Sequence, residues 1–350
     1  MSSEKMPAAK TLFIVCDRFS AEGVAWLKSH SGHEVLHLPD VQTTAQLEAA
    51  LPLETVFKLS NVEGLIARSK FKVSNDFLAK VPNLKAFVTA TVGFDHIDLE
   101  ACASRGVGIA HCPDSHSASA AELTWALVLA CAKKLRAAEA TARTQDWNRE
   151  PLLGWQLDGK THGIFGLGRI GARVARMAQG FGMRVVAHDP YRDNQWFEKH
   201  GCERVGVDEL FHMSDTVSLH VPMTRETKGR INRIQLDLLK PDSIVVNTSR
   251  GGVLKEEDLV IHLKNKGPGT FGLDVFNYEP LRADSELLKF PQVVLTPHIG
   301  ATTHEAFKAV SMEAAKNLMG LLRNQAVSGP LPPPEEWFKA VSELAGTSPF

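Results

Sequence analysis

The sequence predicts an α/β protein made of two doubly wound parallel-sheet domains. Short β-branched runs alternate with stretches of helical spacing, the pattern of strands covered by helices on both faces. The alternation runs twice, from Thr11 to Cys112 and again from Lys160 to His298. At 350 residues the chain is too long for one compact core and fills two.

In the first series the strand candidates are 11–17 (TLFIVCD), 34–38 (EVLHL), 64–68 (GLIAR), 84–90 (LKAFVTA) and 108–112 (GIAHC). Between them lie segments such as 43–51 (TTAQLEAAL) and 99–106 (LEACASRG), with helical spacing and, in the second, a terminal Gly. The second series runs through 161–166 (THGIFG), 184–189 (RVVAHD), 216–221 (TVSLHV), 243–249 (SIVVNTS), 270–276 (TFGLDVF) and 292–298 (QVVLTPH). Two long helix candidates, Ser119–Lys134 and Thr303–Arg323, bracket it. These elements place one domain at 113–301 and assemble the other from 1–112 plus 302–350. The cleft between two such domains is a usual place for a ligand. After Asn324 the run SGPLPPP cannot continue a helix and reads as an extended arm.

Composition removes several functions. Hydrophobic residues make up 44% and charged residues 23%, an ordinary globular balance. The formal net charge is −1 with no basic stripe, so nothing supplies the positive field that nucleic acid or a membrane surface needs. No apolar run reaches the roughly 18–20 residues of a spanning helix. Met1–Lys10 lacks the apolar stretch of a secretion signal. The five cysteines show no metal-like pairing and are expected to be reduced, buried thiols of a cytoplasmic protein. None of the 14 histidines forms an HxxxH or HExxH pattern on a helix, so no metal site is expected.

Gly166-Leu167-Gly168-Arg169-Ile170-Gly171 is a GxGxxG. Alone the pattern is weak, and a chance Gly-rich turn would satisfy it. Here it follows a strand candidate, opens a helix at Arg169–Phe181, and is followed by Asp189 at a strand end 18 residues beyond Gly171. That context makes it a dinucleotide fingerprint of the Rossmann type. Gly166 permits the turn, Gly168 lets backbone approach a pyrophosphate, and Gly171 lets helix pack on strand. The helix N-terminus receives the anion. Asp189 can accept both ribose hydroxyls and opposes a 2′-phosphate, which favours NAD over NADP, although Arg192 nearby could meet a phosphate.

Three residues follow strand candidates of this domain, where doubly wound folds hold their ligands. Arg250 follows VVNTS, Glu279 lies in NYEP, and His298 closes VVLTPH. Hydride transfer to a 2-oxo acid needs a cation for the carboxylate and carbonyl, and Arg supplies a planar, permanently charged fork. It needs a proton donor that titrates near neutrality, which is His. A carboxylate beside that His favours the imidazolium. Spacing alone leaves open a solvated Arg, a helix-start Glu and a capping His.

Taken together, 159–171 (GKTHGIFGLGRIG), 181–191 (FGMRVVAHDPY), 245–253 (VVNTSRGGV), 272–281 (GLDVFNYEPL) and 296–306 (TPHIGATTHEA) resemble the D-isomer-specific 2-hydroxyacid dehydrogenases, closest to the 3-phosphoglycerate dehydrogenase branch. Weaker matches at 66–74, 92–99 and 119–127 extend the likeness to about residues 60–325. The resemblance implies a Rossmann NAD domain with a flavodoxin-like substrate domain, and Arg250, Glu279 and His298 as the catalytic set. It implies NAD contacts from Gly166, Gly168, Arg169, Ile170, Gly171, Asp189, Thr248, Ser249, Arg250, Asp274 and the turn from His298 through Gly300 to Ala301. Substrate contacts are expected from Arg68, Ser69, Val92 and Gly93 together with Arg250, and a homodimer is expected through the NAD domain.

The likeness to the phosphoglycerate branch thins in places. Thr89 stands where a further Arg is expected, His116 stands where Asn is common, and the branch's extra regulatory domain is expected to be absent. Arg68 and Arg149 match basic positions of that branch. The resemblance implies a small 2-hydroxy or 2-oxo acid as substrate, expected to be D-3-phosphoglycerate or else glyoxylate, hydroxypyruvate or another D-2-hydroxy acid. From a different class, the alternative is a NAD-sensing, corepressor-like interaction protein; no long charged extension or basic patch supports it. A formate-type enzyme would carry Gln in place of Glu279. Among residues without assigned chemistry, His188 is expected to point toward solvent or the adenine edge, and His220 to lie near the cofactor. Trp125 is expected to pack between domains, and His111 and His116 to be loop residues.

Overall fold

The computed structural model describes residues 11–51, 59–333 and 338–339. The chain divides into two compact units: one of residues up to His116 together with those from Thr303 onward, the other Ser117–Thr302.

The first unit begins with β1 (Leu12–Cys16), α1 (Ala21–Ser31), β2 (Glu34–Leu38), α2 (Thr44–Ala50), β3 (Val62–Ala67), α3 (Asn75–Lys80), β4 (Ala86–Thr89), α4 (Leu99–Ser104) and β5 (Gly108–Ala110). β1 and β4 are buried along their whole length, because a parallel strand covered on both faces has no solvent side. Helix starts are written locally. Ser20, Thr43, Ser74 and Asp98 each accept a first-turn N–H on a side-chain oxygen.

The second unit contains α5 (Ser117–Ala132), α6 (Leu135–Arg143), β6 (Thr161–Phe165), α7 (Arg169–Gly180), β7 (Arg184–His188), α8 (Asn194–Lys199), β8 (Glu203–Arg204), α9 (Val207–Met213), β9 (Thr216–Leu219), α10 (Arg233–Asp237), β10 (Ile244–Asn247), α11 (Glu256–Lys264), β11 (Thr270–Leu273) and β12 (Val293–Leu295). The chain then returns to the first unit through α12 (His304–Leu322) and β13 (Pro330–Leu331).

The first sheet is ordered β13-β5-β4-β3-β1-β2. Apart from β13 this is the flavodoxin-like order. Val310, Ala314, Ala315 and Leu318 of α12 pack with Phe13, Ile66 and Val88 on one sheet face. The arm read from SGPLPPP is more than an extended tail as far as Pro333: β13 pairs antiparallel with β5, Pro330 opposite Ala110 and Leu331 opposite Ile109.

The second sheet is ordered β12-β11-β10-β9-β6-β7-β8, with parallel pairing throughout its named ladders. The order reverses between β6 and β9, which opens a crevice at the carboxyl ends of these strands. Trp125 is buried inside this unit, which corrects the expectation of interdomain packing. Its Nε1 donates to the Val174 carbonyl of α7 at 3.3 Å, and its ring lies 4.7 Å from that of Phe181.

Candidate active site

The glycine loop joins β6 to α7 at the reversal, and each glycine answers a separate demand. Gly166 has φ 99°, and a Cβ there would lie 2.6 Å from the His220 carbonyl oxygen. A Cβ on Gly171 would lie 2.1 Å from the Gly166 oxygen, so α7 can start this close to the loop only without a side chain. Gly168 differs: nothing lies within 4 Å of where its Cβ would be. As N-cap of α7 it also brings no capping side chain, which leaves the helix N-terminus to an anion. Asp189 closes the loop on the β7 side. Its Oδ2 accepts from Leu167 N at 2.9 Å and its Oδ1 from Tyr191 N at 3.0 Å. A carboxylate has about four acceptor positions, so capacity remains for ribose hydroxyls. The guanidinium of Arg192 stacks on Trp196, 4.6 Å from the ring centre. These residues fit a dinucleotide with an unmodified ribose.

β10, β11 and β12 are consecutive in the sheet, so the loops leaving their carboxyl ends emerge side by side. Asn247 folds the first of these loops. Its Oδ1 accepts from Ser249 N at 3.0 Å and Ser249 Oγ at 2.8 Å, and its Nδ2 donates to the Arg250 carbonyl at 2.9 Å. A Cβ on Gly251 would lie 2.1 Å from the Phe276 carbonyl carbon, so this loop and the one carrying Glu279 press backbone to backbone.

Asp274, fully buried, organises the third loop. Its Oδ1 accepts from Thr296 Oγ1 at 2.6 Å and Ile299 N at 2.8 Å, its Oδ2 from Gly300 N at 2.9 Å, and its carbonyl from His298 N at 2.9 Å. His298 sits at φ 53°, a left-handed conformation costing a residue with a Cβ about 1 kcal/mol. The Asp274 bonds hold it there. His298 Nδ1 then meets Glu279 Oε2 at 2.6 Å, while Glu279 Oε1 accepts from Phe276 N at 3.1 Å. Burial alone would raise the Glu279 carboxyl. The hydrogen bonds from His298 and Phe276 and the charges of His298 and Arg250 outweigh it, holding Glu279 below the ordinary carboxylate range. With Nδ1 engaged, Nε2 is the nitrogen left to face a substrate. The structure thus brings the Arg, Glu and His of the sequence reading to one place.

Residues 125–300 match the family model described as D-isomer specific 2-hydroxyacid dehydrogenase, NAD binding domain. The chain belongs to the D-isomer-specific 2-hydroxyacid dehydrogenases. It is 38% identical over 289 residues to the D-3-phosphoglycerate dehydrogenase of Methanocaldococcus jannaschii, covering 81% of this chain and 55% of that one. It is 38% identical over 275 residues to the glyoxylate reductase of Thermococcus litoralis, covering 77% of this chain and 83% of that one. It spans about half the length of the phosphoglycerate dehydrogenases it matches. The crystal structure of D-lactate dehydrogenase from Aquifex aeolicus, complexed with NAD and lactic acid, superposes with a TM-score of 0.78 at 27% identity, covering 92% of this chain and 100% of that one.

The remaining expected residues lie in both units. Near the glycine loop, Arg169 is exposed and Ile170 partly buried; Thr248 shares a 2.8 Å hydroxyl bond with Thr124 of α5. Gly300 and Ala301 lie beside the Asp274 carboxylate, but Asp274 itself, expected among the NAD contacts, exposes none of its surface and acts on the site through the turn it braces. In the first unit, Arg68 with Ser69 follows β3 and Val92 with Gly93 follows β4; these strands are neighbours, so both loops leave the same end of one sheet. Arg68 is half-buried and its charge reaches His116, whose ring is pushed down to about 4, chiefly by burial. Thr89 is buried, with Oγ1 bonded to Thr91 Oγ1 at 2.8 Å and His96 Nε2 at 3.1 Å. Arg149 lies exposed in the second unit.

Sequence reasoning missed Asn247 and the bracing role of Asp274. The Asn could have been found from its place two residues before Ser249, where an Asx-type turn forms. His188 is partly exposed, and its Nδ1 meets the Val205 carbonyl at 3.0 Å while its ring stacks on Phe165 of the neighbouring strand. His220 contacts the glycine loop through its carbonyl; its ring, held by Ser218 Oγ at 2.9 Å, is pushed down to about 3 by burial. The HEVLH run at 33–37 has the letters of a helical zinc motif but leads into β2, where His33 and His37 bond the carbonyls of Ser31 and Asp17.

Proposed function

We propose that this protein is an NAD-dependent D-2-hydroxyacid dehydrogenase that interconverts a small 2-oxo acid and its 2-hydroxy acid. The 2.6 Å bond between His298 Nδ1 and Glu279 Oε2, with Arg250 on the adjoining loop, carries the reading. Bound NAD(H) supplies or takes up the hydride. Arg250 binds the substrate carboxylate with its fork and draws electron density from the C2 carbonyl. His298 Nε2 gives its proton to the C2 oxygen as the alkoxide develops, and takes one back in the reverse direction. Glu279 stays ionised throughout and favours the imidazolium. Gly166, Gly168, Arg169, Ile170 and Gly171 hold the pyrophosphate, Asp189 the ribose, and Thr248, Ser249, Gly300 and Ala301 the rest of the cofactor. Arg68, Ser69, Val92 and Gly93 contact the substrate.

Both a phosphorylated and an unphosphorylated acid are candidates, as the two named relatives are. Arg68 supports D-3-phosphoglycerate. Thr89 favours glyoxylate or hydroxypyruvate, because its buried hydroxyl holds the loop where a second cation would serve a phosphate. A homodimer through the NAD unit belongs to the reading: Leu135, Trp147 and Leu153, on and after α6, are 51%, 74% and 79% exposed, which is the kind of surface a subunit covers. A reducing, cytoplasmic setting fits five buried, free cysteines. Among the described residues no helix is long and apolar enough to cross a membrane.

The test is NADH oxidation against 3-phosphohydroxypyruvate, hydroxypyruvate, glyoxylate, pyruvate and 2-oxoglutarate. Preference for the first would mean that Arg68 and Arg149 suffice for a phosphate despite Thr89; preference for hydroxypyruvate or glyoxylate would select an unphosphorylated acid. Silence across the panel from protein that binds NADH would overturn the enzyme. His298→Ala should lower kcat by about 10²–10⁴ with NADH affinity little changed.

A further inference from the structure

Tyr191 and Glu226 are joined by a 2.6 Å hydrogen bond in which the phenol donates to Oε2. They stand 35 residues apart, on the loops that follow β7 and β9. β6 lies between those strands, and its carboxyl end is the glycine loop. Two inter-strand spacings, about 9.6 Å, separate β7 from β9. The two loops must lean toward each other past the end of β6 for this bond to form.

The Tyr191 end is tied to the ribose carboxylate itself, since its N–H donates to Asp189 Oδ1 at 3.0 Å. Burial, the hydrogen bond to Glu226 and the charges of Glu226 and Asp189 push the phenol up to about 12, so Tyr191 remains the donor at any working pH. Both charges acting on the phenol are therefore carboxylates. Arg192, the cation closest in sequence to Asp189, is stacked on Trp196.

We propose that Glu226, held in place by Tyr191, is a second specificity-determining carboxylate, which with Asp189 sets two negative charges at the ribose end of the crevice and rejects a 2′-phosphorylated cofactor. The proposal rests on the NAD reading of this site. Asp189 accepts the ribose hydroxyls directly; Glu226 acts at longer range and through its charge. Against a phosphate of nearly two charges, an exposed carboxylate several ångströms away is worth at most roughly tenfold in affinity, and only at low salt.

Equilibrium binding of NADH and NADPH, followed by energy transfer from tryptophan to the reduced nicotinamide without substrate, tests this. The wild type should prefer NADH. Glu226→Gln should shrink the ratio of NADPH to NADH dissociation constants by up to about tenfold at low salt, and less at high salt where charges are screened. Tyr191→Phe should shrink it partly, and the double variant no further than Glu226→Gln, because Tyr191 acts through Glu226. An unchanged ratio in Glu226→Gln, or full additivity in the double variant, overturns the proposal. So does a wild type that binds NADPH as well as NADH, which would give the exposed Arg225 beside Glu226 the dominant part. Asp189→Asn separates the two levels: a shrunken ratio there with none in Glu226→Gln overturns Glu226 alone, whereas no NADH binding by the wild type overturns the cofactor reading too.

Discussion

Glu279 joins the imidazole of His298 on one side and the Phe276 N–H on the other. Because its carboxyl is held below the ordinary range, its charge is present above that range and is lost only as pH falls through the depressed value. Glu279→Gln removes the charge at every pH. The ring then faces a neutral partner, and kcat should fall roughly 10- to 100-fold near neutrality. Wild-type turnover in this variant would show that the charge of Glu279 plays no part in catalysis. Asp274→Asn sets an NH₂ group against N–H donors in a buried place and should cost about 1–3 kcal/mol. Thermal melts would read the stability loss, and the kcat loss would report the loosened His298 turn. Asp274 does not announce this work in the sequence, since it acts on Thr296, Ile299 and Gly300, which only the folded loops bring near.

At the scale of elements, the glycine loop allows a contrast. Gly171→Ala would drive a Cβ to 2.1 Å from the Gly166 oxygen, backbone against backbone, and should lower the melting temperature. Gly168→Ala meets nothing within 4 Å and should leave the melting temperature near that of the wild type while weakening NADH binding, because the open space is where a pyrophosphate would lie on the proposed reading. Equal effects of the two on stability would remove the cofactor explanation for Gly168. The strands were legible because a β-branched run is a local property: 34–38 was read to the residue, and β6 within one position. Helices α8, α9 and α10, of six, seven and five residues, were not read, being too short for a 3.6-residue period to repeat. The run QVVLTPH was read as strand to its end, yet β12 stops at Leu295. Its last residues leave the ladder to form the turn, so the overreach falls on His298 itself.

Over the whole molecule, buried neutral histidines set the acid response. His162, in the second unit, is pushed down to about 3, and His116, in the first, to about 4, in both cases chiefly by burial. In the unfolded chain each titrates near 6.5. Below that pH the unfolded chain binds more protons than the folded one. Stability is therefore whole above about pH 6.5 and falls as the solution is acidified toward the folded values, by up to about 1.4 kcal/mol per pH unit for each ring. Calorimetric melts from pH 7 to 4.5 should show falling midpoints; a flat profile would mean the rings are already charged in the fold. Burial likewise pushes Cys16, Cys102 and Cys131 up to about 12 and Cys202 to about 11. All five thiols should resist a disulfide reagent in the native protein and react once it is denatured; rapid labelling of the folded chain would contradict this packing.

By itself the sequence determined the strand–helix alternation, the dinucleotide loop and the identities of Arg250, Glu279 and His298, because runs, caps and turn glycines depend on neighbours along the chain. Only the tertiary structure decided that His298 bonds Glu279 and that the charge of Arg250 reaches that pair. They leave β10, β11 and β12, and the adjacency of those strands is settled by burying both faces of a parallel sheet, which no local run encodes. The same holds for the brace at Asp274 and the Tyr191–Glu226 bond: residues 22 and 35 positions apart come into reach when the sheet order carries their loops to one end of the fold.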